Sequence, residues 1–354
     1  MSEDLRIDSH KLIFHPERVA NWLRGENIFP LEAEISLSGA CNHRCRFCAL
    51  EYTEYAPVML DKDLVLENLA QMRARGLKSV IFAGEGEPLL NKQAPEIFNA
   101  AKAMGIDVAM STNGVLLTEE VSKACLESLT WIRFSVSAAK AETYHSIHRG
   151  RPDDLERVLK NLEAAVRIKR EGELKATLGV QLLLMPENVN EVFLLAEKLR
   201  EIGVDYFTVK PFSKHPKSGN DIDPDFHYPD YLEMEQKLKQ LETSHYQVFF
   251  RSGSMRKCRQ ERDYDRCWGH PFFTYIDARG NVWPCIAFLG DQTWNFGNIH
   301  EGGFVGVWEG ERRSKLLERL DELDLGECRQ LCRLDEINRY LDALKHPGGH
   351  VNFI

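Results

Sequence analysis

Short hydrophobic runs along the first two thirds of the chain alternate with segments in which apolar residues recur at helical spacing. The apolar runs predict six β-strands, which are Glu34–Leu37, Ser79–Ala83, Asp107–Ser111, Trp131–Ser137, Leu178–Leu184 and Tyr206–Lys210. Amphipathic helices are predicted between them, as in the pattern of Val65, Leu69 and Met72. Strand–helix units in alternation favour a parallel sheet with right-handed crossovers. We therefore predict an α/β fold, a partial (βα)6 TIM-like barrel with its active site at the carboxyl ends of the strands.

The fourth predicted strand has one apolar and one polar face. Side chains alternate between the two faces of a strand, so Ile132 and Phe134 share one face, while Arg133, Ser135 and Ser137 share the other. An apolar face toward the helices would turn the polar face toward the barrel lumen. A strand with one hydrated face would show the same pattern.

Three cysteines with the spacing CxxxCxxC follow the first predicted strand: Cys41, Cys45 and Cys48. Three thiolates at this spacing can hold three irons of a [4Fe–4S] cube and leave the fourth iron open to a substrate or cofactor. A fourth cysteine usually closes clusters that only carry electrons. Structural zinc is also closed by four ligands, and it stays the alternative interpretation of this motif.

This motif, with Phe47 directly before the last cysteine, resembles that of the radical S-adenosylmethionine (SAM) superfamily. The resemblance implies that the open iron binds the amino and carboxylate groups of SAM. It also implies that reduction of the cluster cleaves SAM to methionine and a 5′-deoxyadenosyl radical. Phe47 is then expected to contact the cofactor.

A second segment, Gly84–Pro88, follows the second predicted strand and resembles the Gly-Gly-Glu-Pro motif of this superfamily, which binds the SAM amino group. The chain departs from the family pattern at Glu85, where a second glycine is usual. We assign the amino-group contact to Glu87, with Gly86 beside it, and leave the role of Glu85 open.

The third predicted strand ends in Ser111–Gly114, which looks like the Thr-Asn-Gly turn of the superfamily. Its asparagine and glycine alone would predict only a tight turn. The resemblance implies SAM contacts from Ser111 and Asn113. It further implies contacts from Ser135 and Ser137 on the polar face of the fourth strand.

The pattern changes after about residue 250 to a cysteine-rich segment with a predicted hairpin. The turn Asp277–Gly280 joins the strand Phe272–Ile276 to a second strand that ends at Cys285. This segment resembles the auxiliary-cluster extension called the twitch domain, the shortened relative of the SPASM domain. A SPASM domain uses seven cysteines for two clusters, whereas only five cysteines lie in this segment. The resemblance therefore implies one auxiliary [4Fe–4S] cluster. A structural zinc ion held by four cysteines is the alternative. The implied ligands are Cys267, Cys285, Cys328 and Cys332.

Two cysteines lie outside these sets. Cys258 is left over once the auxiliary cluster is closed, and it could donate a hydrogen atom to a substrate radical, replace a late ligand or be inert. Cys125 lies four residues from both Val121 and Leu129, a helical spacing of apolar residues, so we predict that it is buried in the core.

Composition and charge narrow the class of protein. The 354 residues are 43% hydrophobic and 28% charged, as in ordinary globular proteins, and the net charge of −9 argues against a general nucleic-acid binder. Neither a membrane span nor the apolar core of a signal peptide is found. Eight of the nine cysteines are grouped in the opening motif and the last hundred residues, which suits cofactor binding in a reducing compartment, so we expect a cytoplasmic enzyme. We expect an N-terminal extension over 1–30, the barrel over 31–250, and the auxiliary domain with C-terminal helices over 251–354.

A basic loop, Lys210–Lys217, follows the sixth predicted strand. Its three lysines and one histidine could hold a phosphate or carboxylate of the substrate, with Lys210 as the substrate-binding candidate, or could be a solvated loop. About thirty residues before the first strand are too few for a separate peptide-recognition domain. We therefore expect a small molecule or a self-recognised substrate, and the basic loop favours one that is phosphorylated, nucleotide-linked or an acidic sugar. We also expect an electron donor such as flavodoxin or ferredoxin.

The resemblance leaves the reaction open. Oxidation of a sugar- or cyclitol-like substrate, as in the twitch-type dehydrogenase of aminocyclitol antibiotic biosynthesis, would use the auxiliary cluster as electron acceptor, and we predict this outcome. An epimerase with Cys258 as hydrogen donor and a peptide-modifying maturase are the alternatives. A non-enzymatic iron–sulfur redox sensor is a further one, but a sensor would have no use for the SAM motifs around Glu87 and Asn113.

Overall fold

A ten-stranded sheet forms the centre of the structure. The computed structural model describes residues 9–220, 222, 226–258, 260–329 and 331–353. The strands are, in chain order, β1 Glu32–Ile35, β2 Ser79–Phe82, β3 Asp107–Thr112, β4 Leu129–Ser135, β5 Thr177–Leu184, β6 Tyr206–Pro211, β7 Gln247–Phe250, β8 Phe273–Ile276, β9 Asn281–Trp283 and β10 Gly297–Asn298. The α-helices of the described residues are α1 Pro16–Leu23, α2 Lys62–Ala74, α3 Ala94–Ala103, α4 Glu119–Cys125, α5 Ala141–His148, α6 Asp154–Glu171, α7 Val192–Ile202, α8 Met234–Lys239, α9 Ser252–Lys257, α10 Gly303–Trp308, α11 Glu311–Asp321 and α12 Asp335–Lys345.

Strands β1 to β7 pair in parallel and in sequence order, with helices between consecutive strands. The first six overlap the predicted strands, although β1 and β4 each begin and end two residues before the predicted bounds, so that Ser137 lies after β4. This confirms the α/β class and the parallel partial barrel. Strand β7 is an addition that the sequence analysis missed.

The C-terminal hairpin is part of the same sheet. Strand β8 pairs in parallel with β1, from Glu32 opposite Phe273 to Ile35 opposite Ile276, and β9 pairs antiparallel with β8. The predicted turn is present: the Gly280 N–H donates to the Asp277 carbonyl at 3.0 Å. A parallel pairing between residues so far apart in the chain has no local sequence signal, so the sequence analysis placed the hairpin in a separate extension.

The outer face of the sheet and the inner faces of the helices form the main hydrophobic core. Ile132 and Phe134 of β4 lie in this core and are fully buried, which confirms the predicted faces of that strand. Cys125 is also in this core, where its thiol donates to the Val121 carbonyl at 3.2 Å, as expected for packing within a helix. Each large apolar side chain buried in this way stabilises the fold by roughly 1.5–3 kcal/mol.

The inner face of the sheet lines the barrel lumen, in which one layer of side chains is apolar and another is charged. Ile81, Ala83, Ala109 and Trp131 form a small hydrophobic cluster there. The charged level includes Arg333, which reaches back from the C-terminal segment to the carboxylates of Glu32 and Glu34 on β1, at 2.9 and 2.7 Å. The C-terminal segment is therefore tied to the barrel from inside as well as through β8.

No helix in the described part of the chain combines the length and the apolarity that crossing a membrane requires.

Candidate active site

The three early cysteines lie on the loop that follows β1, and backbone hydrogen bonds hold this loop in place. The Arg44 N–H donates to the His148 carbonyl at 3.0 Å, and the Arg46 N–H donates to the Ile147 carbonyl at 2.9 Å. The Cys48 N–H donates to the Cys45 carbonyl at 3.0 Å, which makes a tight turn between two of the thiols. The loop is thus fixed to the C-terminal end of α5.

The thiols of Cys41, Cys45 and Cys48 converge closely enough to influence one another. Burial, and then the negative charges of Glu87 and Cys48, raise the pKa of Cys41 to about 12. The pKa of Cys45 is also raised, first by burial and then by both other thiols. Three thiolates so placed repel one another without a cationic group between them, and a metal or an iron–sulfur cluster supplies that charge. The residues present therefore fit the cluster.

Loop 84–88 after β2 packs directly against the cysteine loop. A side chain at Gly86 would collide with the carbonyl oxygens of Ser38 and Ala40, so only glycine permits this close approach. The next N–H, that of Glu87, donates to the Ala40 carbonyl at 2.8 Å. The sequence analysis singled out Gly86 by resemblance alone, and the structure gives a steric reason for glycine at this position.

The Glu87 carboxylate joins the loops after β2 and β3. It is 2% exposed, and it accepts hydrogen bonds from the Thr112 hydroxyl at 2.7 Å and from the Asn113 N–H at 2.8 Å. Burial raises its pKa in spite of these donors. Oε1 also accepts from the Leu89 N–H at 3.3 Å, whereas Oε2 accepts only from Asn113 among the described residues and can take a second donor. The contact of Glu87 to the SAM amino group stays a prediction.

Asn113 connects the turn after β3 to the cysteine loop. Its side-chain amide donates to the Asn42 Oδ1 at 2.7 Å and lies 4.0 Å from the Cys41 sulfur. The residues assigned to the second and third motifs thus lie beside the three thiols, as the parallel sheet predicts. The role of Asn113 toward SAM remains a prediction.

The three predicted serine contacts occupy different positions. The Ser111 hydroxyl accepts from Arg133 at 3.4 Å, and Ser135 is half-buried on the inner face of β4. Ser137 is 1% exposed, and its hydroxyl accepts from the Leu183 N–H at 3.3 Å. The hydroxyls of Ser111 and Ser135 therefore lie on the lumen side, whereas that of Ser137 is enclosed. All three assignments remain predictions.

Glu85, the departure from the family pattern, faces the C-terminal hairpin. Its carboxylate accepts from the Ala278 N–H at 3.0 Å and from the Tyr275 hydroxyl at 3.3 Å. Burial, and then the negative charge of Asp277, raise the pKa of Glu85 to about 7. This side chain therefore links the loop after β2 to the turn between β8 and β9.

His148 is the residue of this site that the sequence analysis missed. Its Nδ1 lies 3.3 Å from the Cys45 sulfur, and its Nε2 accepts from the Ser137 N–H at 3.0 Å. Phe47, predicted to contact SAM, packs edge-on against the His148 ring at 5.2 Å. Burial, and then His43, hold the pKa of His148 well below its ordinary value. The sequence contains no pattern that predicts this contact, because His148 and Cys45 lie about a hundred residues apart in the chain.

The four late cysteines form a second, closed set of thiols. In each of the six possible pairs among them, one thiol is close enough to raise the pKa of the other. Burial is the larger cause, and it raises the pKa of Cys267 to about 11 and that of Cys332 to about 12. Four converging thiols fit a closed iron–sulfur cluster or a zinc ion. They are the predicted set, Cys267, Cys285, Cys328 and Cys332.

Cys258 lies apart from that set, directly after α9. Its thiol donates to the Ser254 carbonyl at 3.5 Å. Cys258 also lines a cavity of about 670 Å³ together with Cys328 and Arg329. The fifth late thiol therefore faces the same space as one member of the closed set.

Lys210 is surrounded by cations on the lumen side of β6. Burial lowers its pKa well below the ordinary value, and four guanidinium groups lower it further, those of Arg133, Arg329, Arg251 and Arg333. Among the described residues, no carboxylate lies within ion-pair distance of its Nζ. An anion bound beside Lys210 would relieve this repulsion.

The rest of the predicted basic loop behaves differently from Lys210. Lys214 and Lys217 are exposed, and Lys217 pairs with Asp291 at 3.5 Å. His215 is fully buried, and burial lowers its pKa to about 4. Because the chain turns outward after β6, the loop does not bring its three lysines together around one anion.

Comparison with known families identifies the cofactors. The family model of the radical SAM superfamily matches residues 35–199, and that of the SPASM iron–sulfur cluster-binding domain matches residues 267–333. Each match contains one of the two thiol sets. The cofactors of the chain are SAM and two [4Fe–4S] clusters, one that binds SAM and one auxiliary.

Several curated proteins are similar in sequence. The chain is 26% identical to the tungsten-containing aldehyde ferredoxin oxidoreductase cofactor-modifying protein of Pyrococcus furiosus, over 78% of this chain and 80% of that protein. It is 27% identical to the AdoMet-dependent heme synthase of Methanosarcina barkeri, over 82% of this chain and 85% of that protein. The GTP 3′,8-cyclase of Chlorobaculum tepidum is 32% identical, but over only 51% of this chain and 54% of that enzyme.

Solved structures share the fold. Streptococcus suis SuiB bound to S-adenosylmethionine superposes with a TM-score of 0.66 at 19% identity, over 85% of this chain and 70% of that chain. The enzyme anSMEcpe with bound AdoMet and Cp18Cys peptide has a TM-score of 0.56 at 16% identity, over 88% of both chains. At these identities the likeness shows the fold alone. The two thiol sets, the motif loops between them and the two family matches agree: the chain belongs to the radical SAM superfamily and carries a SPASM iron–sulfur domain.

Proposed function

We propose that this radical SAM enzyme oxidises a small, anionic, sugar- or cyclitol-like substrate. The observation that carries the proposal is the closed set of four late thiols beside the cavity lined by Cys258, Cys328 and Arg329. A cluster closed by four thiolates exchanges electrons and leaves no iron open for a ligand. The proposed organisation is an N-terminal extension over 1–30, the barrel over 31–250 and the auxiliary domain over 251–354.

Cys41, Cys45 and Cys48 are the proposed ligands of the SAM-binding cluster. Glu87 accepts a hydrogen bond from the turn after β3, and Asn113 donates one to the cysteine loop. These contacts support the motif residues as the surroundings of the cluster. The proposed SAM contacts are Phe47, Gly86, Glu87, Ser111, Asn113, Ser135 and Ser137. When bound and reduced, this cluster with SAM supplies the 5′-deoxyadenosyl radical that removes a hydrogen atom from a substrate C–H bond.

The balance of electrons favours oxidation. Removal of one hydrogen atom from a secondary alcohol carbon leaves a radical, and conversion to a ketone requires the loss of one more electron and of the hydroxyl proton. The cluster held by Cys267, Cys285, Cys328 and Cys332 would be the acceptor of that electron. An electron donor such as flavodoxin or ferredoxin would supply the electron that SAM cleavage consumes.

The cations around Lys210 support an anionic substrate. A buried cation without a partner is costly, and a bound carboxylate or phosphate removes that cost. Arginine can bind phosphate and carboxylate in a bidentate way, and Arg133, which lies near Lys210, has an Nε without a hydrogen-bond partner in the described structure. Arg329 adds positive charge there, although its Nε and Nη2 already donate to Ser213. We therefore assign Lys210 to substrate binding, with a phosphorylated, nucleotide-linked or acidic sugar as the class of substrate.

Epimerisation is the second candidate, and the position of Cys258 on the cavity wall favours it. A thiol at this place would give its hydrogen atom to the opposite face of the substrate radical. The resulting sulfur radical would then need one electron, from the external donor, and one proton to return to the thiol. The oxidation proposal gives Cys258 no chemical role.

We place the enzyme in the cytoplasm. None of the nine cysteines, all within the described part of the chain, forms a disulfide, although several thiols lie close together. Clustered thiols persist in a reducing compartment.

The assignment of the early thiols is tested with Cys45→Ala. Loss of this ligand should abolish the formation of 5′-deoxyadenosine by anaerobically reconstituted, reduced protein, measured by chromatography. Cys125→Ala is the matched control, because Cys125 is a buried core thiol outside both sets; it should keep SAM cleavage and lose on the order of 1 kcal/mol of stability. Full cleavage by Cys45→Ala would refute the assignment.

Lys210→Met tests the anion site, with inorganic phosphate as the probe. The neutral side chain should raise stability without phosphate by on the order of 1 kcal/mol, since it replaces a half-buried cation that lies among four guanidinium groups. The rise in melting temperature that phosphate causes should become much smaller than in wild type. The same substitution at the exposed Lys175, at the opposite end of the sheet, should leave that rise unchanged. An equal phosphate response in Lys210→Met and wild type would contradict the anion site.

Oxidation and epimerisation are distinguished by turnover in D₂O with a panel of sugar phosphates, nucleoside-diphosphate sugars and cyclitol phosphates, with peptides as a comparison set. We expect SAM cleavage stimulated by a small anion, a ketone product without solvent deuterium at the reacting carbon, and most of this turnover retained by Cys258→Ala. One deuterium at an inverted carbon, lost in Cys258→Ala while SAM is still consumed, would establish the epimerase. Stimulation by peptides alone would contradict the small substrate.

A further inference from the structure

We infer that His148 donates a hydrogen bond from Nδ1 to the Cys45 sulfur and thereby raises the reduction potential of the SAM-binding cluster. The inference rests on the proposed function in one respect, that Cys45 is a ligand of this cluster. His148 touches neither SAM nor a reacting atom in this proposal. It is a positioning residue that acts through the cysteine.

The hydrogen bonds around the ring determine its tautomer. The Ser137 backbone N–H points at Nε2 at 3.0 Å, and a nitrogen that receives an N–H must be the unprotonated one. The ring proton is therefore on Nδ1. Since Nδ1 lies 3.3 Å from the Cys45 sulfur, this N–H is directed at the thiolate.

Packing leaves the ring little freedom to turn. Tyr144 stacks on it at 4.1 Å with the planes 19° apart, and Phe47 meets it edge-on at 5.2 Å. His148 is fully buried, so water does not compete for its N–H. The His148 carbonyl also accepts from the Arg44 N–H within the cysteine loop, which keeps the helix end and that loop at a constant separation.

The other two early thiols have donors of a different kind. The His43 backbone N–H reaches the Cys41 sulfur at 3.5 Å, and the Tyr55 hydroxyl donates to Cys48. Cys45 receives its donor from an imidazole on a different element, α5. A hydrogen bond to a ligand sulfur withdraws negative charge and stabilises the reduced cluster, which is the more negative state. The bond from His148 therefore makes the cluster easier to reduce by the electron donor.

A competing possibility is a single metal ion held by His43, Cys45 and His148, whose donor atoms all lie within 4.8 Å of one another. His43 already uses Nε2 toward Asp154 at 2.9 Å. A metal on Nδ1 of His148, with Ser137 still donating to Nε2, would require a doubly deprotonated ring. The hydrogen bond to Cys45 accounts for the same geometry without this cost.

The test combines potentiometry with pulsed EPR of the reconstituted, full-length enzyme. His148→Phe removes the donor and should lower the midpoint potential of the cluster whose EPR signal responds to SAM. His148→Gln keeps both a donor and an acceptor and should restore most of the loss. Tyr144→Phe is the matched control, because the Tyr144 hydroxyl has no hydrogen-bond partner within the described structure and the stacked ring is retained; its potential should equal that of wild type.

Wild type alone provides a second measurement, which does not depend on whether His148→Phe folds. Histidine labelled with nitrogen-15 in the ring should show a coupling to the reduced, SAM-responsive cluster. Absence of that coupling in enzyme that holds its clusters and cleaves SAM, or an unchanged potential in folded His148→Phe, would overturn the inference and leave the proposed function intact. One non-iron metal per chain, lost in both His43→Ala and His148→Ala, would establish the competing site. Absence of a SAM-responsive cluster would instead refute the proposed function.

Discussion

The parallel pairing of β1 with β8 is the contact on which the arrangement of both thiol sets depends. The cysteine loop follows β1, and the hairpin that carries Cys285 follows β8, so the pairing brings both to the same edge of the sheet. One hydrophobic cluster, built around Tyr275 and Trp283, packs against Cys48 on one side and against Cys267, Cys285 and Cys332 on the other. Apolar side chains of this cluster therefore contact cysteines of both thiol sets. Glu85, with its hydrogen bonds to Tyr275 and Ala278, is a second tie across this contact.

Charge inside the barrel has the opposite sign from the charge of the whole chain. The net charge is −9, yet the lumen holds Lys210 among four arginines. Arg333 has its charge matched there by two carboxylates, those of Glu32 and Glu34. Thiolate clusters and an anionic substrate both benefit from such surroundings, because a positive potential stabilises bound anions. The lumen thus favours ligands that the outer surface would repel.

The sequence predicted those parts of the site that depend on local spacing. The three early cysteines, the two motif loops and the grouping of four late thiols all follow from residues close together in the chain or from resemblance to a family. Parallel strands then bring the ends of β1, β2 and β3 together, so the meeting of Glu87, Asn113 and Cys41 could be expected from topology. The strand faces of β4 followed from alternation alone.

What the sequence could not predict depends on contacts between distant segments. The pairing of β8 with β1, the short strand β7 and the approach of His148 to Cys45 have no local pattern. The sequence analysis interpreted the basic loop as one anion site, but of its three lysines only Lys210 lies in the lumen. Lys210 belongs to β6, where side chains alternate between the two faces of the sheet, whereas Lys214 and Lys217 follow the strand and are exposed. The contacts of Glu85 could not be predicted either, because they depend on the position of the hairpin, and no sequence motif indicates where the hairpin lies.

Metal and sulfide analysis after anaerobic purification tests the central claim, that the two thiol sets hold separate clusters. Wild type should bind about eight irons per chain, as two cubes of four. A variant with Cys41, Cys45 and Cys48 all changed to alanine should keep about half of that iron with the EPR spectrum of a [4Fe–4S] cluster when reduced. Zinc in place of the remaining iron, or complete loss of iron from the variant, would contradict the claim.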